Sequence, residues 1–250
     1  MRRSERIFQP SMIQCVAITC LAWLFVINIG ARVTSAATVQ DAQQLVEKSL
    51  LTFNAFVADK EMGPPLQAIL KEAKGVLIYP ELLEGGLIFG VAGGSGTFLV
   101  LDPKTNTWAG PAFYTIGQVG FGLILGGRAS EMVMVALTDR GVSALLNTST
   151  KFSVDAAIAL GPVGAGAEAA TANLSADIIS YSRNKGLFAK MSLNGAVVAT
   201  RDALNAAYYG KEVTPTQILI QRSVTNQHAR GLIEAVSNQA GGMWRASRSE

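Results

Sequence analysis

The chain has 250 residues, enough for one or two domains; 49% are hydrophobic and 16% are charged. This composition supports a sizeable core and excludes an intrinsically disordered chain. The formal net charge of +3 belongs entirely to the first 37 residues, which hold four arginines and one glutamate. The remainder is net neutral, so its overall charge gives no indication of nucleic-acid binding.

Residues 1–37 have the pattern of a secretory signal peptide. A basic start is followed by an apolar run over 12–29 and then by small residues that end at Ala36 and Ala37. We expect cleavage after one of these two alanines, which would place the protein in the periplasm or outside the cell. An uncleaved membrane anchor is the alternative, because the apolar run approaches the ~20 residues of a transmembrane helix.

Both cysteines of the chain, Cys15 and Cys20, lie inside this predicted signal. Lipid attachment at Cys20 is not expected, because the apolar residues 21–29 follow it. The mature protein would therefore have no disulfide, no thiolate metal ligand and no cysteine nucleophile.

Helices are predicted at both ends of the mature chain. Over 38–59, apolar residues recur at three- and four-residue steps, and Thr38 with Asp41 resembles a capping box. Further helices are predicted, in chain order, over 66–74 after Gly63-Pro64-Pro65, over 139–147, over 200–209 before Gly210, and over 225–236.

Short apolar runs and turn residues between these helices predict a sheet. Pro80 is expected to close the first strand, and 93–96 to form the turn of a hairpin. Because strands follow strands, we predict one α+β domain over 38–240, an antiparallel sheet or partial barrel flanked by N- and C-terminal helices, and a loose tail over 241–250. The predicted strands are 76–79, 87–91, 97–101, 108–125, 131–137, 154–159, 175–181 and 187–198.

The glycine-rich stretch 85–96 does not have the pattern of a nucleotide-binding loop. A phosphate loop needs a helix directly after its glycines, because the helix N-terminus supplies the N–H donors. Here Thr97-Phe-Leu-Val-Leu101 follows, which is typical of a strand. We therefore interpret the glycines as structural.

Catalytic and metal sites also lack support in the sequence. Ser95 is not in a Gly-x-Ser-x-Gly motif, because Thr97 stands where the second glycine belongs. His228 is the one histidine of the chain and so the only candidate base for a hydrolase. With one histidine and no cysteine after the signal, a zinc site is not expected, and no cofactor is predicted.

A cationic loop gives better support to lipid contact. Arg183, Lys185 and Lys190 surround two large apolar residues, Leu187 and Phe188. Such a loop can lay its apolar side chains in a membrane interface while the cations meet phosphates. The alternative is a strand with ordinary apolar residues and a solvated charged edge. Further candidate lipid contacts are Lys71 and Lys74.

Six short motifs, spread over roughly 39–236, together resemble the SYLF domain family. Each motif is weak alone, but their order and spacing are specific. They are Lys74-Gly-Val-Leu-Ile-Tyr-Pro80, the glycine-rich stretch after it, Trp108-Ala-Gly-Pro-Ala-Phe113, Gly161-Pro-Val-Gly164, Ile179-Ser-Tyr-Ser-Arg-Asn-Lys-Gly-Leu-Phe188 and Tyr208-Tyr-Gly210.

The resemblance implies a lipid-binding module without catalysis. Fungal and animal members of the family are actin-regulatory and endocytic proteins whose SYLF domain binds phosphoinositide membranes, and bacterial members are commonly exported. In those relatives lipid binding is attributed to an amphipathic N-terminal helix with basic residues. The helix predicted here over 38–59 holds Lys48 as its one cation beside three carboxylates.

We therefore expect an exported module of the cell envelope that binds a phospholipid or membrane surface. A structural or protein-binding envelope module is the alternative. An exported chain would not meet cytosolic actin, and no nucleic acid is expected as a partner.

Overall fold

The computed structural model describes residues 37–86, 89–121, 126–147, 149–152, 154–161, 176–184, 187–188 and 195–240. The contacts between residues divide the chain into two compact units, Met1–Ala36 and Ala37–Glu250, and every described residue belongs to the second unit. The predicted signal peptide, apart from Ala37, and the predicted tail 241–250 lie outside the described residues. The described part is an α+β domain with a curled, half-barrel sheet, which confirms the predicted fold class.

The first two helices lie on one face of the sheet. Helix α1 (Val39–Val57) begins at the predicted capping box, in which Thr38 and Asp41 bond reciprocally. Helix α2 (Gly63–Leu70) begins and ends earlier than the predicted 66–74, because the prolines after Gly63 occupy its first turn, where their missing N–H costs nothing.

Within the described residues the sheet has nine strands, in the order β5-β9-β3-β2-β1-β4-β7-β6, with β8 paired to β7. All pairs are antiparallel except β6 with β7. The four long strands form its centre, so most of the sheet is a meander of neighbouring hairpins. The strands are β1 (Gly75–Gly86), β2 (Phe89–Asp102), β3 (Thr107–Phe121), β4 (Gly126–Ala136), β5 (Ser149–Lys151), β6 (Ile158–Leu160), β7 (Ile178–Asn184), β8 (Leu187–Phe188) and β9 (Val197–Thr200).

The prediction that Pro80 ends the first strand is wrong. Strand β1 continues to Gly86, and its register shifts at Pro80 against both neighbours. Proline has no N–H for the ladder, so a central strand accommodates it only at a bulge. The bulge lets β1 run on where the sequence pattern indicated an end.

The prediction of a hairpin turn at 93–96 is also wrong. These residues lie in the middle of β2 and pair with both β1 and β3. Strand β1 ends at Gly86 and β2 begins at Phe89, before the predicted turn. A Cβ on Gly94 would contact the Glu81 carbonyl oxygen, and one on Gly96 would contact that of Ile78. The glycines are therefore required by the close approach of the bulged β1 backbone. The expectation of a structural role in place of a phosphate loop holds, since the glycines are followed by strand.

The remaining helices follow the long strands. Gly210 ends α4 in the left-handed conformation with φ 71°, as its position predicts. Helix α5 was not predicted, although Thr214 and Gln217 form a capping box at its start. The last predicted helix begins with a 3₁₀ turn at Gln227–Ala229. The helices are α3 (Asp139–Leu146), α4 (Asp202–Tyr209), α5 (Pro215–Leu219) and α6 (Arg230–Ala240).

The sheet carries a hydrophobic core on each face. One core joins α1, α2, α4 and α6 to the sheet and includes the fully buried Phe53, Phe56 and Leu66. The other lies against the opposite face beneath α3 and α5 and includes Tyr79, Phe98 and Tyr114. Because both faces are covered over much of the sheet, uncovered parts of it stand out as candidate binding surfaces.

Candidate functional site

The two predicted lipid-binding lysines near α2 have different surroundings. Lys71 is exposed at the end of α2. Lys74 Nζ bonds to Asp139 Oδ1 at 2.9 Å, and its side chain remains 44% exposed. This ion pair links the start of β1 to the first turn of α3.

Arg183 is held inside the fold. Its Nε donates to Glu131 Oε2 at 2.6 Å, and its guanidinium carbon lies 4.8 Å from the centre of the Phe56 ring. Only 13% of the side chain is exposed. The guanidinium therefore joins β7 and β4 to α1. This differs from the alternative stated for this segment in the sequence analysis, a strand whose cations form a solvated charged edge.

Among the predicted basic residues that the structure describes, Lys74 and Arg183 do not lie in one patch. Lys74 lies at the end of the sheet where β4 reaches Ala136, whereas Arg183 pairs with Glu131, five residues back along that strand. That separation is roughly 17 Å. The backbone of Leu187 and Phe188 forms β8. Lys185 and Lys190 lie outside the described residues. Lipid contact at these seven residues stays a prediction.

A different surface lies at the far end of the four long strands. We call this the distal sheet end, made of 81–86, 89–96, 114–121 and 126–131. The register joins its strands, since Gly85 pairs with both Val91 and Gly127. Two stretches of sequence, 85–93 and 117–127, hold no charged residue, and their described parts lie here. Strands with one face in water normally alternate apolar and polar residues, and these stretches do not.

One face of the distal sheet end is an exposed apolar floor, made of Leu83, Val91, Gly93, Gly117 and Ala129. It is the face on which α1 packs further along the sheet. Leu83 pairs with Gly93 and Ala129, and Leu83 and Val91 are 59% and 56% exposed. Two large aliphatic side chains thus project from a surface that is otherwise glycine and alanine. An exposed apolar surface of this kind is unusual for the face of a sheet that contacts water.

A groove of about 310 Å³ lies where this floor meets α1. We call it the α1 groove. The register shift at Pro80 places Glu81 and Leu83 on the face of the sheet that carries α1, and both residues line the groove. Leu83 and Gly93 line both the groove and the apolar floor, so the two surfaces are continuous.

Four charged side chains line the α1 groove: Asp41 and Lys48 from α1, Glu81 from β1, and Arg201 before α4. Arg201 Nη1 donates to Ser95 Oγ at 2.7 Å. Lys48 Nζ lies 3.8 Å from Glu81 Oε2, and both side chains are more than half exposed. Hydrogen bonds from the Thr38 hydroxyl and backbone N–H, with the charge of Arg201, hold the pKa of Asp41 below its usual value.

Sequence reasoning missed this groove. Arg201 and Ser95 are 106 residues apart and meet only through the β3–β9 pairing that leads into α4. The lack of charge over 85–93 and 117–127 was a readable signal. Interpreting the glycines as a turn conceals this signal, because a turn needs no apolar surface to explain it.

The candidate hydrolase residues have other partners. Ser95 Oγ accepts a hydrogen bond from Arg201. His228 lies between Tyr208 and Glu47: its Nδ1 is 3.3 Å from the Tyr208 hydroxyl oxygen, and its Nε2 is 3.3 Å from Glu47 Oε1. Burial raises the pKa of the Tyr208 hydroxyl. Among the described residues, no group of three His, Cys, Asp or Glu side chains is arranged to hold a metal ion.

None of the helices in the described ranges is both long enough and apolar enough to cross a membrane.

Comparison with known proteins identifies relatives. A family model described as "Ysc84: Las17-binding protein actin regulator" matches residues 117–239. Protein YSC84 of Saccharomyces cerevisiae is 29% identical over 200 residues, which cover 78% of this chain and 42% of the relative. LAS seventeen-binding protein 3 of the same species is 32% identical over 171 residues, 67% of this chain and 36% of the relative.

A human relative matches a similar part of the chain. SH3 domain-containing YSC84-like protein 1 of Homo sapiens is 27% identical over 172 residues, 68% of this chain and 50% of the relative. The chain thus spans half or less of the length of these three relatives.

Proposed function

The chain belongs to the Ysc84, or SYLF, family through residues 117–239, and on this basis we propose that it is a non-catalytic module that binds phospholipid membranes. The observation that carries the proposal is the exposed apolar floor of the distal sheet end, with Leu83 and Val91 more than half exposed. A surface of this kind is stable in contact with acyl chains and costly in water.

The setting we propose is the cell envelope, in the periplasm or outside the cell. Its support is the signal-like sequence of residues 1–37. N-terminal sequencing of the protein from fractionated cells tests it, and a mature chain that starts at Ala37 or Thr38 is the expected result.

Co-sedimentation with vesicles tests the lipid part of the proposal. We expect the mature chain, without the predicted signal, to bind phospholipid vesicles with weak dependence on salt, because the floor carries no charge. Leu83→Asp and Val91→Asp should each weaken binding by about tenfold, because a carboxylate replaces an aliphatic contact worth roughly 1.5 kcal/mol.

The matched control is Ile220→Asp, which places the same charge on an aliphatic residue that is 49% exposed and follows α5. This variant should bind vesicles as the unchanged protein does. No binding of the mature chain to any vesicle would refute the proposal.

A protein-binding module is the second candidate function. The family description and the name of one yeast relative both refer to binding of Las17, a protein partner. Under this hypothesis a pull-down from envelope extract would return one stoichiometric partner, and its capture would be lost in Leu83→Asp without any lipid being bound.

A further inference from the structure

We propose that the α1 groove binds the headgroup of a phospholipid that carries a primary amine, with the acyl chains on the apolar floor. This inference rests on the proposed function and adds the lipid class to it. It follows from the charges of the groove, from its continuity with the floor and from its size.

The charges of the groove favour a zwitterion. Two cations, Lys48 and Arg201, and two carboxylates, Asp41 and Glu81, line the same space. A simple anion would meet the carboxylates, and a simple cation would meet Lys48 and Arg201, so each would be partly repelled. A group with a phosphate and an ammonium a few bonds apart can satisfy both sets.

Each of the four charged side chains can offer a contact to a ligand. Arg201 Nη1 donates to the neutral Ser95 hydroxyl, which orients the guanidinium beside the groove. Asp41 uses Oδ2 to accept from Thr38 in the capping box, which leaves Oδ1 for a ligand. The Lys48–Glu81 pair is long, at 3.8 Å, and its side chains are 58% and 52% exposed. Opening such an exposed pair costs about 1 kcal/mol or less, which a phosphate and an ammonium bound in its place can offset.

The shape of the surface matches one lipid molecule. A volume of about 310 Å³ lies at the lower end of ligand pockets and suits a headgroup without its acyl chains. Leu83 and Gly93 line the groove and continue into the floor, so chains leaving the headgroup would meet apolar surface directly. Polar and apolar parts of the site therefore follow each other as they do in a phospholipid.

The primary amine distinguishes among common headgroups. An ethanolamine ammonium can donate hydrogen bonds to Asp41 and Glu81. A choline headgroup has the positive charge but no N–H, and a glycerol headgroup has no positive charge to face the carboxylates. We therefore expect phosphatidylethanolamine to bind more tightly than phosphatidylcholine or phosphatidylglycerol.

The test uses the mature chain and three kinds of vesicle: phosphatidylcholine alone, and phosphatidylcholine with an equal share of either phosphatidylethanolamine or phosphatidylglycerol. The protein should bind the ethanolamine vesicles about fivefold more tightly than the other two. The double variant Asp41→Asn, Glu81→Gln should lose this preference. Asparagine keeps a side-chain oxygen to cap α1, and thermal unfolding checks that the variant is folded.

Two further variants make the result specific. Glu61→Gln with Glu72→Gln removes two exposed carboxylates that do not line the groove, and it should keep the preference. Lys48→Met leaves the α1 cap untouched and should weaken binding to ethanolamine vesicles about fivefold. Any effect of ethanolamine lipid on bilayer packing acts on all variants alike, so a loss confined to the groove variants assigns the preference to the groove.

The outcomes separate this inference from the proposed function. Equal binding to all three vesicles, or a preference that survives in the double variant, overturns the headgroup site while leaving membrane binding in place. Absence of binding to every vesicle overturns both. Tighter binding of soluble glycerophosphoethanolamine than of the ethanolamine vesicles would assign the groove to a free metabolite and overturn the lipid assignment.

Discussion

Glycine at positions 94 and 96 is required by the backbone of the neighbouring strand. The bulge at Pro80 brings the carbonyl oxygens of Ile78 and Glu81 to where a Cβ on β2 would lie. The ring of Tyr79 also lies 2.6 Å from the position of a Cβ on Gly96. Here the reason for glycine is steric, since a positive φ is recorded at neither residue.

Gly94→Ala and Gly96→Ala should each lower the free energy of unfolding by about 2 kcal/mol or more, because backbone must shift to admit the methyl group. Gly117→Ala is the matched control, because nothing lies within 4 Å of the position of its Cβ on the adjacent strand. Urea unfolding measures all three. A change in the two test variants as small as that in the control would contradict the bulge explanation.

At the scale of elements, Arg183 connects a helix to two strands. It extends from β7 to Glu131 on β4 and stacks on Phe56 of α1, while Glu131 also accepts a hydrogen bond from Thr52 at 3.2 Å. The position of α1 matters for function because its Asp41 and Lys48 line the α1 groove. The ion pair thus supports the proposed site from outside it.

Arg183→Met should lower the free energy of unfolding by about 1–3 kcal/mol, because it leaves a partly buried carboxylate without its main partner. Lys74→Met, which removes the more exposed pair with Asp139, should cost less than about 1 kcal/mol. Thermal or urea unfolding of the two variants gives the comparison. Equal losses would mean that Arg183 contributes no more than a surface ion pair.

The same variant tests the lipid contact predicted from the sequence. Vesicle binding is measured at a temperature where Arg183→Met is folded. Unchanged binding there would contradict direct contact of Arg183 with lipid. A fall in binding would fit direct contact or a shift of α1, whose Asp41 and Lys48 line the α1 groove.

At the scale of the whole molecule, carboxylates in separate parts of the fold respond together to acid. Burial of Asp177 opposes its ionisation, but the Thr138 hydroxyl, the Ala157 N–H and Arg140 outweigh it, so its pKa is lowered. The pKa of Asp102 is lowered by the Lys104 N–H, the Thr105 hydroxyl and Arg222. Both groups bind protons more readily in the unfolded chain.

Stability should therefore be lost on the acid side. A lowered folded-state pKa stabilises the protein above the unfolded value of about 3.9, and this contribution disappears as pH falls through the folded value. We expect the free energy of unfolding to be steady above about pH 5 and to decline below about pH 4. Asp177→Asn should flatten that decline in urea unfolding across the acid range, and an unchanged slope would contradict the assignment.

The proposed membrane contact is also a property of the whole molecule. Apart from the first 37 residues the chain is net neutral, so long-range attraction to an anionic surface is small. Recognition would depend on the distal sheet end and the groove beside it, where apolar surface and paired charges lie next to each other.

Local patterns were enough to predict several features from the sequence alone. The capping box at Thr38 and the end of a helix at Gly210 are set by chemistry within a few residues, so they were predicted correctly. The α+β class follows from the order of strand and helix patterns along the chain and was also predicted correctly. The family was also readable, because its motifs depend on order and spacing along the chain.

Tertiary structure alone decided how Pro80, Gly94 and Gly96 are used, because a proline and two glycines normally interrupt strands when they are considered locally. These residues fit into one long hairpin because the bulged backbone of β1 lies against β2 at two positions where glycine has no side chain. The α1 groove likewise depends on residues far apart in sequence, since Arg201 and Ser95 meet only after the sheet has formed. Pairing between distant segments sets both features, and no window along the chain contains the two partners.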